Sequence, residues 1–576
     1  MIHNLPPGSI MVIGGVFLPF LGRRLSAWGG LALSLISLAV FWTTPDFQNV
    51  SLSLFGNELN IVRIDRLSWI FGLVFHIAAI TASIYALHVK DTKQHIAAMV
   101  YAGSAIMACC AGDMVTLFVC WELTAVSSVF LIWATATERA YKSGMRYLII
   151  QVISGVLLLS GAIIHFHETG SLAFGHFLGL EHGETASVIE LGLGPKLILL
   201  AFGIKGAFPL LHNWLQDSYP NGTATGTVFL SAFTTKLAIY SLARGFAGLE
   251  ELIWIGCAMT LFPIVFAVIE NDLRRVLAYS LNNQLGFMVV GIGIGTELSL
   301  NGTAAHAFCH IIYKALLFMS MGAVLYRVGT TKATELGGLH KSMPLTTIFC
   351  IIGGGAIAGF PLLSGFISKS MIISAAGEQH MFAVWIILLI ASAGVMEHSG
   401  IKIPYFAFFS HDSGKRVKEA PWNMLLAMFI ASSFCVGLGV AYPLLYKILP
   451  YEMSSAYQPY TSAHVIMQLQ LLLFATLAFV FLMKAKLYPA EVRSTNLDTD
   501  WIYRKLFPRC LGFGGQVIEK VDGGVRNGFL AMIQGFLNWL SRQCNVKGSI
   551  GSTWSTSMMA FWAAILLGCC LLLYYV

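Results

Sequence analysis

Long apolar segments and short polar connections alternate along almost the whole chain. Apolar runs can be marked from Pro7 to Val576. Most are about 17 to 25 residues long, which is the length that crosses a bilayer as a helix. Because lipid offers no hydrogen-bond partners, each run has to satisfy its own backbone groups, as a helix does. The pattern therefore predicts an all-α polytopic membrane protein with about sixteen transmembrane helices.

Composition agrees with this prediction. The 576 residues are 57% hydrophobic and 11% charged, with a mean hydropathy of +0.74, whereas soluble domains carry about 25% charged residues. The net charge of +7 is attributed to the cytoplasmic connections of such a protein and not to a nucleic-acid partner. The first apolar segment has neither a basic flank nor a small-residue cleavage pattern, so the N-terminus is predicted to be retained.

The distribution of lysine and arginine predicts the topology. Basic connections alternate with connections that are acidic or neutral, such as residues 167–192, which hold four glutamates and no Lys or Arg. Positive connections stay in the cytoplasm, which places both termini on the outer side. The basic set comprises Arg23 and Arg24, Lys90 and Lys93, Arg139 to Arg146, Arg274 and Arg275, Arg327 to Lys341, Lys402 to Lys418, and Lys484 to Lys547.

Five charged residues interrupt the apolar segments themselves: Glu122, Lys205, Lys236, Lys314 and Lys369. A charged side chain at the bilayer centre costs at least about 2.5–3.5 kcal/mol, so such residues face the protein interior and are functional by default. Burial also shifts a lysine toward its neutral form, which lets it gain and lose a proton near neutral pH. The five residues predict a proton or cation pathway.

The string FPLL occurs twice, at Phe208 to Leu211 and at Phe360 to Leu363, and each copy lies in a span beside a lysine. Its proline interrupts the helical hydrogen bonds, and broken helices in corresponding halves are typical of transporters built from repeats. Each half holds five spans, so the second unit is inverted. The predicted domains are three N-terminal helices at 1–94, repeats at 95–249 and 250–410, further helices at 411–486, and an amphipathic connector with the last helix at 487–576.

Around the first break, Lys205 is paired in this interpretation with Glu122, although a carboxylate bonded only to a neighbouring helix is the alternative. His212 and Asp217 continue from the break toward the cytoplasmic end as accessory residues. His212 could equally cap the broken helix. Lys236, one span later, is the predicted receiver of the proton from Lys205 through intervening water.

His306, His310 and Lys314 recur at i, i+4 and i+8, a spacing that places them on one stripe of a helix. Three titratable groups on a buried stripe resemble a proton relay. Two alternatives stay open: histidines that only bond the backbone, and a metal-binding pair, for which no third ligand is suggested by spacing. Lys369 is the exit candidate, and Glu397 and His398 form a further buried pair of less certain role.

No cofactor site is predicted. The eleven cysteines form no CxxC or Cys/His ligand spacing, and neither a dinucleotide-binding nor a phosphate-binding glycine motif occurs. Residues 487–549 mix glycines and charges with one apolar stretch. They are interpreted as a helical or membrane-surface connector, with an ordinary long loop as the alternative.

Six motifs, in order along the chain, resemble the antiporter-like membrane subunits shared by respiratory complex I and Mrp-type sodium/proton antiporters, with the Mrp D form as the nearest. The motifs are WELT, KGAFPLLHNWLQDSY, SAFTTKLAIY, RRVLAYSLNNQLG, HIIYKALLF and GFPLLSGFISK. The resemblance is strong from Asp65 to Ala375. It implies a core of fourteen helices, two inverted five-helix units, broken helices 7 and 12, and a bacterial inner membrane.

The resemblance also implies roles for individual residues, and every charged position of the family is present here. The family's glutamate falls at Glu122, its broken-helix lysine at Lys205, its bridging lysine at Lys236, its histidine/lysine segment at His306, His310 and Lys314, and its exit lysine at Lys369. One departure concerns SYPNGTATGTVF, where the family commonly has Ala-Pro. The helices beyond the fourteenth look like the longest complex I subunit and indicate a partner other than that of the standard Mrp D form.

The sequence thus predicts a proton-translocating subunit of a multisubunit cation/proton antiporter of the Mrp type. Its partners are other membrane subunits, protons and Na⁺, and it carries no redox site of its own. A proton-pumping subunit of a complex I-like enzyme, or a coupling subunit for another enzyme, is the alternative. An independent carrier and a structural membrane anchor are further rivals.

Overall fold

A computed structural model gives the fold of the chain. It describes residues 5–44, 48–54, 56–180, 183–453, 457–489, 491–492, 496, 498–545 and 547–575. The chain divides into two compact units, Met1–Asn496 and Leu497–Val576.

The first unit is a helical bundle with one small β-hairpin. Its strands are β1 (Asn49–Leu54) and β2 (Asn57–Arg63), which pair antiparallel with an irregular register between Val50 and Ser51. Its helices are α1 (Ser9–Phe17), α2 (Gly22–Trp42), α3 (Arg66–Tyr85), α4 (Thr92–Cys109), α5 (Met114–Trp133), α6 (Glu138–Thr169), α7 (Leu193–Lys205), α8 (Asn213–Ser218), α9 (Gly226–Ala232), α10 (Thr234–Gly245), α11 (Glu250–Ile269), α12 (Leu273–Ile294), α13 (Glu297–Val328), α14 (Pro344–Ala358), α15 (Ser364–Glu378), α16 (Phe382–Val395), α17 (Lys402–Pro404), α18 (Trp422–Val440), α19 (Tyr442–Tyr446) and α20 (Ser462–Lys484).

The second unit consists of two further helices, α21 (Phe507–Cys544) and α22 (Thr556–Tyr575). Short 3₁₀ segments lie at Leu18–Leu21, Val188–Glu190, Tyr219–Asn221, Ala333–Glu335 and Leu339–Lys341, and π-helical segments at Met396–Ile401, Tyr405–Phe409 and Ile502–Leu506.

The all-α polytopic fold is confirmed. Eleven helical segments among the described residues are long and apolar enough to cross a membrane. The other places in the predicted order of about sixteen spans are filled by helices that are shorter, more polar or broken, such as α4, α12 and the pair α14–α15.

Polar residues at the predicted connections start the long helices. At seven α-helix N-termini among the described residues the side chain of the capping residue accepts a hydrogen bond from a backbone N–H of the first turn, which satisfies one of the orphan donors there. These caps are Asp65, Asp91, Asp113, Thr137, Asp272, Thr296 and Thr461. At four C-termini among the described residues the chain turns through a left-handed glycine, at Gly170, Gly295, Gly329 and Gly359, the conformation that glycine adopts without strain.

Connections that the charge pattern assigns to the same side of the membrane contact one another. On the acidic or neutral side, the Phe174 N–H donates to Gly112 O, and the Ala186 N–H donates to Gly248 O. On the basic side, the Leu273 N–H donates to Thr331 O. The connections therefore form two separate sets. Which set faces the cytoplasm stays a prediction.

The first unit extends ten residues beyond the last residue of the helices predicted at 411–486. Lys486 adopts a left-handed φ of 56°, and the chain after it folds back onto the bundle. Tyr488 packs its ring on Phe479 with the centroids 5.2 Å apart, and the Asn496 side chain donates to Ile269 O. Residues 488–496 that the structure describes therefore belong with the bundle.

The centre of the bundle is unusually polar. Every residue of α12 is buried, including Asn282, Asn283 and Gln284, and α13 is buried over most of its length. A helix buried on all sides normally carries apolar residues throughout. The polar side chains in these two helices mark the level at which the charged residues lie.

Candidate functional site

The two FPLL segments have the same backbone. Each leaves its helix through a hydrogen bond from the phenylalanine N–H to the carbonyl five residues earlier: Phe208 to Gly203 at 3.0 Å, and Phe360 to Gly355 at 2.9 Å. The first leucine of each copy, Leu210 and Leu362, has a φ of 70°. The conformation is rare for a residue with a side chain. The two broken spans are therefore structural repeats and not only a repeated string.

Lys205 ends α7 immediately before the first break and is fully buried. Its Nζ donates to Trp121 O and to Thr124 Oγ1, both at 2.9 Å, and lies 4.0 Å from the centroid of the Trp121 ring. Both partners are neighbours of Glu122 on α5. The lysine is thus held beside the predicted carboxylate by hydrogen bonds to its neighbours.

Glu122 points toward α6. Its Oε1 is buried and has no hydrogen-bond partner among the described residues. A Cβ built on Gly155 would overlap this oxygen, so only glycine leaves room for the carboxylate. Glu122 and Lys205 interact electrostatically, but no ion pair within 4 Å joins these two described side chains. Their predicted pairing is through charge and not direct contact.

Lys236 lies at a third helix break that the sequence did not reveal. The span Gly226–Gly245 is interrupted at Phe233, between α9 and α10, and the Nζ of the buried Lys236 donates to Ser231 O at 2.6 Å. The Tyr101 hydroxyl accepts a hydrogen bond from the Thr234 N–H at 3.0 Å. No proline or glycine marks this break, so neither turn residues nor hydropathy could have found it.

The histidine/lysine stripe of α13 is fully buried. The rings of His306 and His310 stack with centroids 6.1 Å apart, and His306 Nδ1 lies 2.9 Å from Ser368 Oγ on α15. Both ring nitrogens of His310 and the Nζ of Lys314 have no hydrogen-bond partner among the described residues. The interpretation that both histidines only bond the backbone is therefore wrong.

Lys369 lies on α15 after the second break, and its Nζ donates to Ile357 O at 2.7 Å. A small crevice beside it reaches His464 and Gln468 of α20, and the Gln468 side chain donates to Ala358 O at 3.1 Å. The carbonyls left free at the end of α14 are thus met by a lysine from one side and an amide from the other.

The two accessory residues predicted at the first break, His212 and Asp217, have different surroundings. His212 occupies the N-terminal cap position of α8, but its side chain makes no capping hydrogen bond, so the capping alternative is wrong. Its ring lies 4.4 Å from the centroid of Phe262. Asp217 forms an ion pair with Arg146 at 2.7 Å, toward the basic connections.

Glu397 and His398 lie in the π-helical turn Met396–Ile401. His398 Nδ1 lies 2.8 Å from Ser399 Oγ, whereas its buried Nε2 has no partner among the described residues. Four residues later, Lys402 is fully buried as well. The charge pattern assigns Lys402 to a basic connection, and the structure corrects this because the helical run continues through α17 to Phe409.

The charged residues fall into two groups. Glu122 and Lys205 form the first. In the second, His310 interacts with Lys236, Lys314, Lys369 and His306, and His398 interacts with Lys314, Lys369 and Lys402. The structure therefore places Lys236, His306, His310, Lys314 and Lys369 in one electrostatically interacting group, and His398 links this group to Lys402. In the part of the chain that is described, no cluster of three or more His, Cys, Asp or Glu residues could hold a metal ion.

Known proteins share this arrangement of spans. The family described as NADH:quinone oxidoreductase/Mrp antiporter, TM, matches residues 111–394, which contain both FPLL segments and all four predicted lysines. Two relatives are similar over overlapping regions. The D component of the Na(+)/H(+) antiporter of Alkalihalophilus pseudofirmus is 31% identical over 308 residues, 52% of this chain. Hydrogenase-4 component B of Escherichia coli is 26% identical over 436 residues, 68% of this chain.

The alignments span 62% and 63% of the lengths of these two relatives. Among solved structures, a chain in the structure of the Mrp complex from Dietzia sp. DQ12-45-1b superposes with a TM-score of 0.75 at 21% identity. That match covers 98% of this chain and 62% of the other. At this identity the likeness is one of fold, and it includes the helices beyond the fourteenth span.

Proposed function

We infer that this chain, which belongs to the family of antiporter-like membrane subunits shared by NADH:quinone oxidoreductases and Mrp antiporters, moves protons through its buried lysines and histidines as one subunit of a larger membrane complex. One observation carries the proposal. Three of the predicted lysines lie at three helix breaks, each donating to a backbone carbonyl. A lysine held in this way is retained in the interior without a fixed counter-ion.

The contacts give each lysine two usable states. As ammonium groups, Lys236 and Lys369 donate to carbonyls near the C-terminal ends of broken helices, which favour a positive charge, whereas Lys205 donates to Trp121 O and Thr124 Oγ1 of the unbroken α5. As a neutral amine, each lysine avoids the cost of a buried charge. Glu122 adds a negative charge beside Lys205 and so favours its ammonium form. A change at Glu122 is therefore expected to change the proton occupancy of Lys205.

The partly unpartnered groups of α13 connect the other lysines. His310 lies within electrostatic range of Lys236, Lys314 and Lys369, and a neutral imidazole can both accept and donate a proton. A proton on any one of these groups disfavours a proton on the next. This repulsion is what drives a charge along a row of titratable groups.

The proposed partners are other membrane subunits of an Mrp-like assembly, with protons and Na⁺ as the transported ions. The proposed location is a bacterial inner membrane, with the basic connections in the cytoplasm and both termini outside. Similarity to hydrogenase-4 component B favours one second candidate, a coupling subunit for an enzymatic partner. Co-purification in mild detergent distinguishes the two, since redox subunits accompany the chain only in the second case.

The test of the proposal is proton flux in proteoliposomes that hold the purified complex with Lys205→Ala. Flux should be lost while the complex still assembles, because the variant removes the titratable group of the first break. Lys196→Ala is the matched control, since Lys196 lies at the other end of the same helix and is only partly buried. Normal flux in Lys205→Ala would refute the proposal.

A further inference from the structure

The second group of charged residues ends at a surface cleft on the basic side of the bundle. The cleft has a volume of about 440 Å³ and is lined by Thr334, Phe406, Met483, Tyr488 and Glu491, among others. It lies between the end of the helical run Phe382–Phe409 and the segment that follows α20. Glu491 is the acidic residue of the lining, and its side chain is only 8% exposed.

Glu491 forms an ion pair with Lys402, whose Nζ lies 2.8 Å from Glu491 Oε1. The same Nζ donates to Val268 O at 2.6 Å and to Glu270 O at 2.7 Å. The lysine thus sits on the carbonyls that end α11, as Lys205 and Lys369 sit beside broken helices. It differs from them in being paired with a carboxylate whose oxygens are buried but whose residue lines the cleft.

The cluster of charged groups around this ion pair has one net negative charge when all its members are ionised. Lys402 faces Glu491 from the segment after α20, Glu270 from the end of α11, and Glu397 from its own helical run. Glu270 in turn pairs with Arg275 at 3.4 Å. When all five are ionised, three carboxylates face two cations, so the cluster has room for one additional proton.

On the protein side, Lys402 leads to the buried histidine of the same helical run. His398 interacts electrostatically with Lys402 and with Lys314, and its buried Nε2 has no partner among the described residues. On the cleft side, burial raises the pKa of Glu491, and the opposing charge of Lys402 does not cancel this effect. A carboxyl with a raised pKa takes up a proton at a higher pH than an exposed carboxyl does.

We propose that Glu491 and Lys402 form the proton-exchange site between the cleft and the buried row of lysines, with His398 as the next group inward. The segment after α20 would then be part of the pathway and not only a tether to the last helices. This inference rests on the proposed function, because it identifies the surface at which the same proton path exchanges protons with water. In each transfer one N–H or O–H bond breaks as another forms, so no co-reactant is required.

An alternative role for the pair is structural, as a clamp that fixes the segment after α20 onto α11. Two conservative variants separate the roles. Lys402→Arg keeps the positive charge and the donors but cannot release a proton. Glu491→Gln keeps an acceptor for Lys402 but cannot exchange a proton. If the pair is only a clamp, any variant that assembles should transport normally, whereas a proton-exchange site loses flux in both variants although they assemble.

The experiment measures proton flux, and its dependence on the pH of the cleft side, in proteoliposomes with the assembled complex. We expect each variant to lower flux by about 100-fold, within the range that a positioned proton-transfer group contributes. Glu491→Asp should retain most of the flux, because it keeps a carboxyl. Lys418→Arg, an exposed lysine in the following connection, is the matched control.

The outcomes are distinguishable from failure of the proposed function. If Lys205→Ala abolishes flux while Glu491→Gln and Lys402→Arg transport normally, the proposed exchange site at Glu491 and Lys402 is wrong, whereas the proposed proton path through the buried lysines is supported. If Lys205→Ala transports normally, the proposed function itself is wrong. If Glu491→Gln and Lys402→Arg both fail to assemble while Glu491→Asp assembles, the pair is a clamp and the inference is overturned.

Discussion

The two broken spans share a backbone but place their lysines on opposite sides of the break. In the first, Lys205 comes three residues before Phe208, whereas in the second Lys369 comes nine residues after Phe360. Yet Lys369 donates to Ile357 O, and Ile357 is the residue that occupies the position of Lys205 in the second copy. The backbone of the broken helix is therefore repeated, and a lysine ammonium lies at corresponding positions of the two copies. It comes from before the break in the first copy and from after the break in the second.

The surroundings of the two lysines differ in the same way. Lys205 has Glu122 as an acidic neighbour, whereas Lys369 belongs to the cationic group with Lys314 and His310. At the first break a carboxylate therefore offsets part of the cost of burying a charged lysine, whereas at the second break the charged neighbours are cationic and add to that cost. Because the electrostatic environments of the two repeats differ, the free energy of a bound proton differs between them, which favours proton movement from one half to the other.

The largest expected effect comes from fixing the charge at either break. Lys205→Arg and Lys369→Arg keep a cation but remove the ability to deprotonate, so each should lower proton flux by about 100-fold or more without loss of assembly. Flux in proteoliposomes is the measurement. If only one of the two variants loses flux, the second break is not part of the same pathway and the comparison fails.

A second prediction concerns the acidic neighbour that Lys205 has at the first break. Gly155→Leu should displace the Glu122 carboxylate, because a Cβ at this position would overlap its Oε1. Flux should then fall as far as in Glu122→Ala, and the double variant should be no worse than either single one. Val156→Leu, at an exposed neighbour on the same helix, is the control. Additive losses would contradict the assignment.

Smaller effects are expected from the groups that close the breaks without carrying charge. The Trp214 indole donates to Ile204 O in the first break, and the Gln468 amide donates to Ala358 O in the second. Trp214→Phe and Gln468→Leu should each lower stability by about 1 kcal/mol through the lost hydrogen bond. Thermal unfolding in detergent measures this loss. An unchanged midpoint for either variant would show that its carbonyl finds another donor.

The smallest effect is expected at the two left-handed leucines. Leu210→Gly and Leu362→Gly remove a strain of about 1–2 kcal/mol but add freedom to the unfolded chain, which costs about 0.5–1 kcal/mol. The two variants should therefore shift the unfolding midpoint slightly and in the same direction. Shifts of opposite sign would mean that the two backbones are held by different forces.

The sequence predicted those features that leave a local mark. Pro209 and Pro361 revealed two breaks because proline cannot continue a helical ladder, and the cost of burying lysine identified Lys205, Lys236, Lys314 and Lys369. The break at Phe233 has no such mark. It depends on Tyr101 and Lys236 taking over the hydrogen bonds of the interrupted helix, and Tyr101 is distant in sequence.

Lys402 escaped prediction for a related reason. The next charged residues along the chain are Asp412, Lys415, Arg416 and Lys418, and such a charged stretch is normally a solvated connection. Only tertiary structure shows that the helix continues to Phe409 and that Glu491, from a segment 89 residues later, lies against the lysine. Pairings between distant segments leave no spacing that a single sequence can display.

The central claim is that the buried lysines release and take up protons during turnover. The most direct test is proton flux through the assembled complex with Lys236→Arg. Lys236 lies at the break at Phe233 and interacts electrostatically with His310 of α13, and burial dominates its surroundings without an acidic group among the described residues to offset the change. We predict that flux is lost while assembly and stability are retained. Flux equal to that of the unaltered complex would contradict the claim.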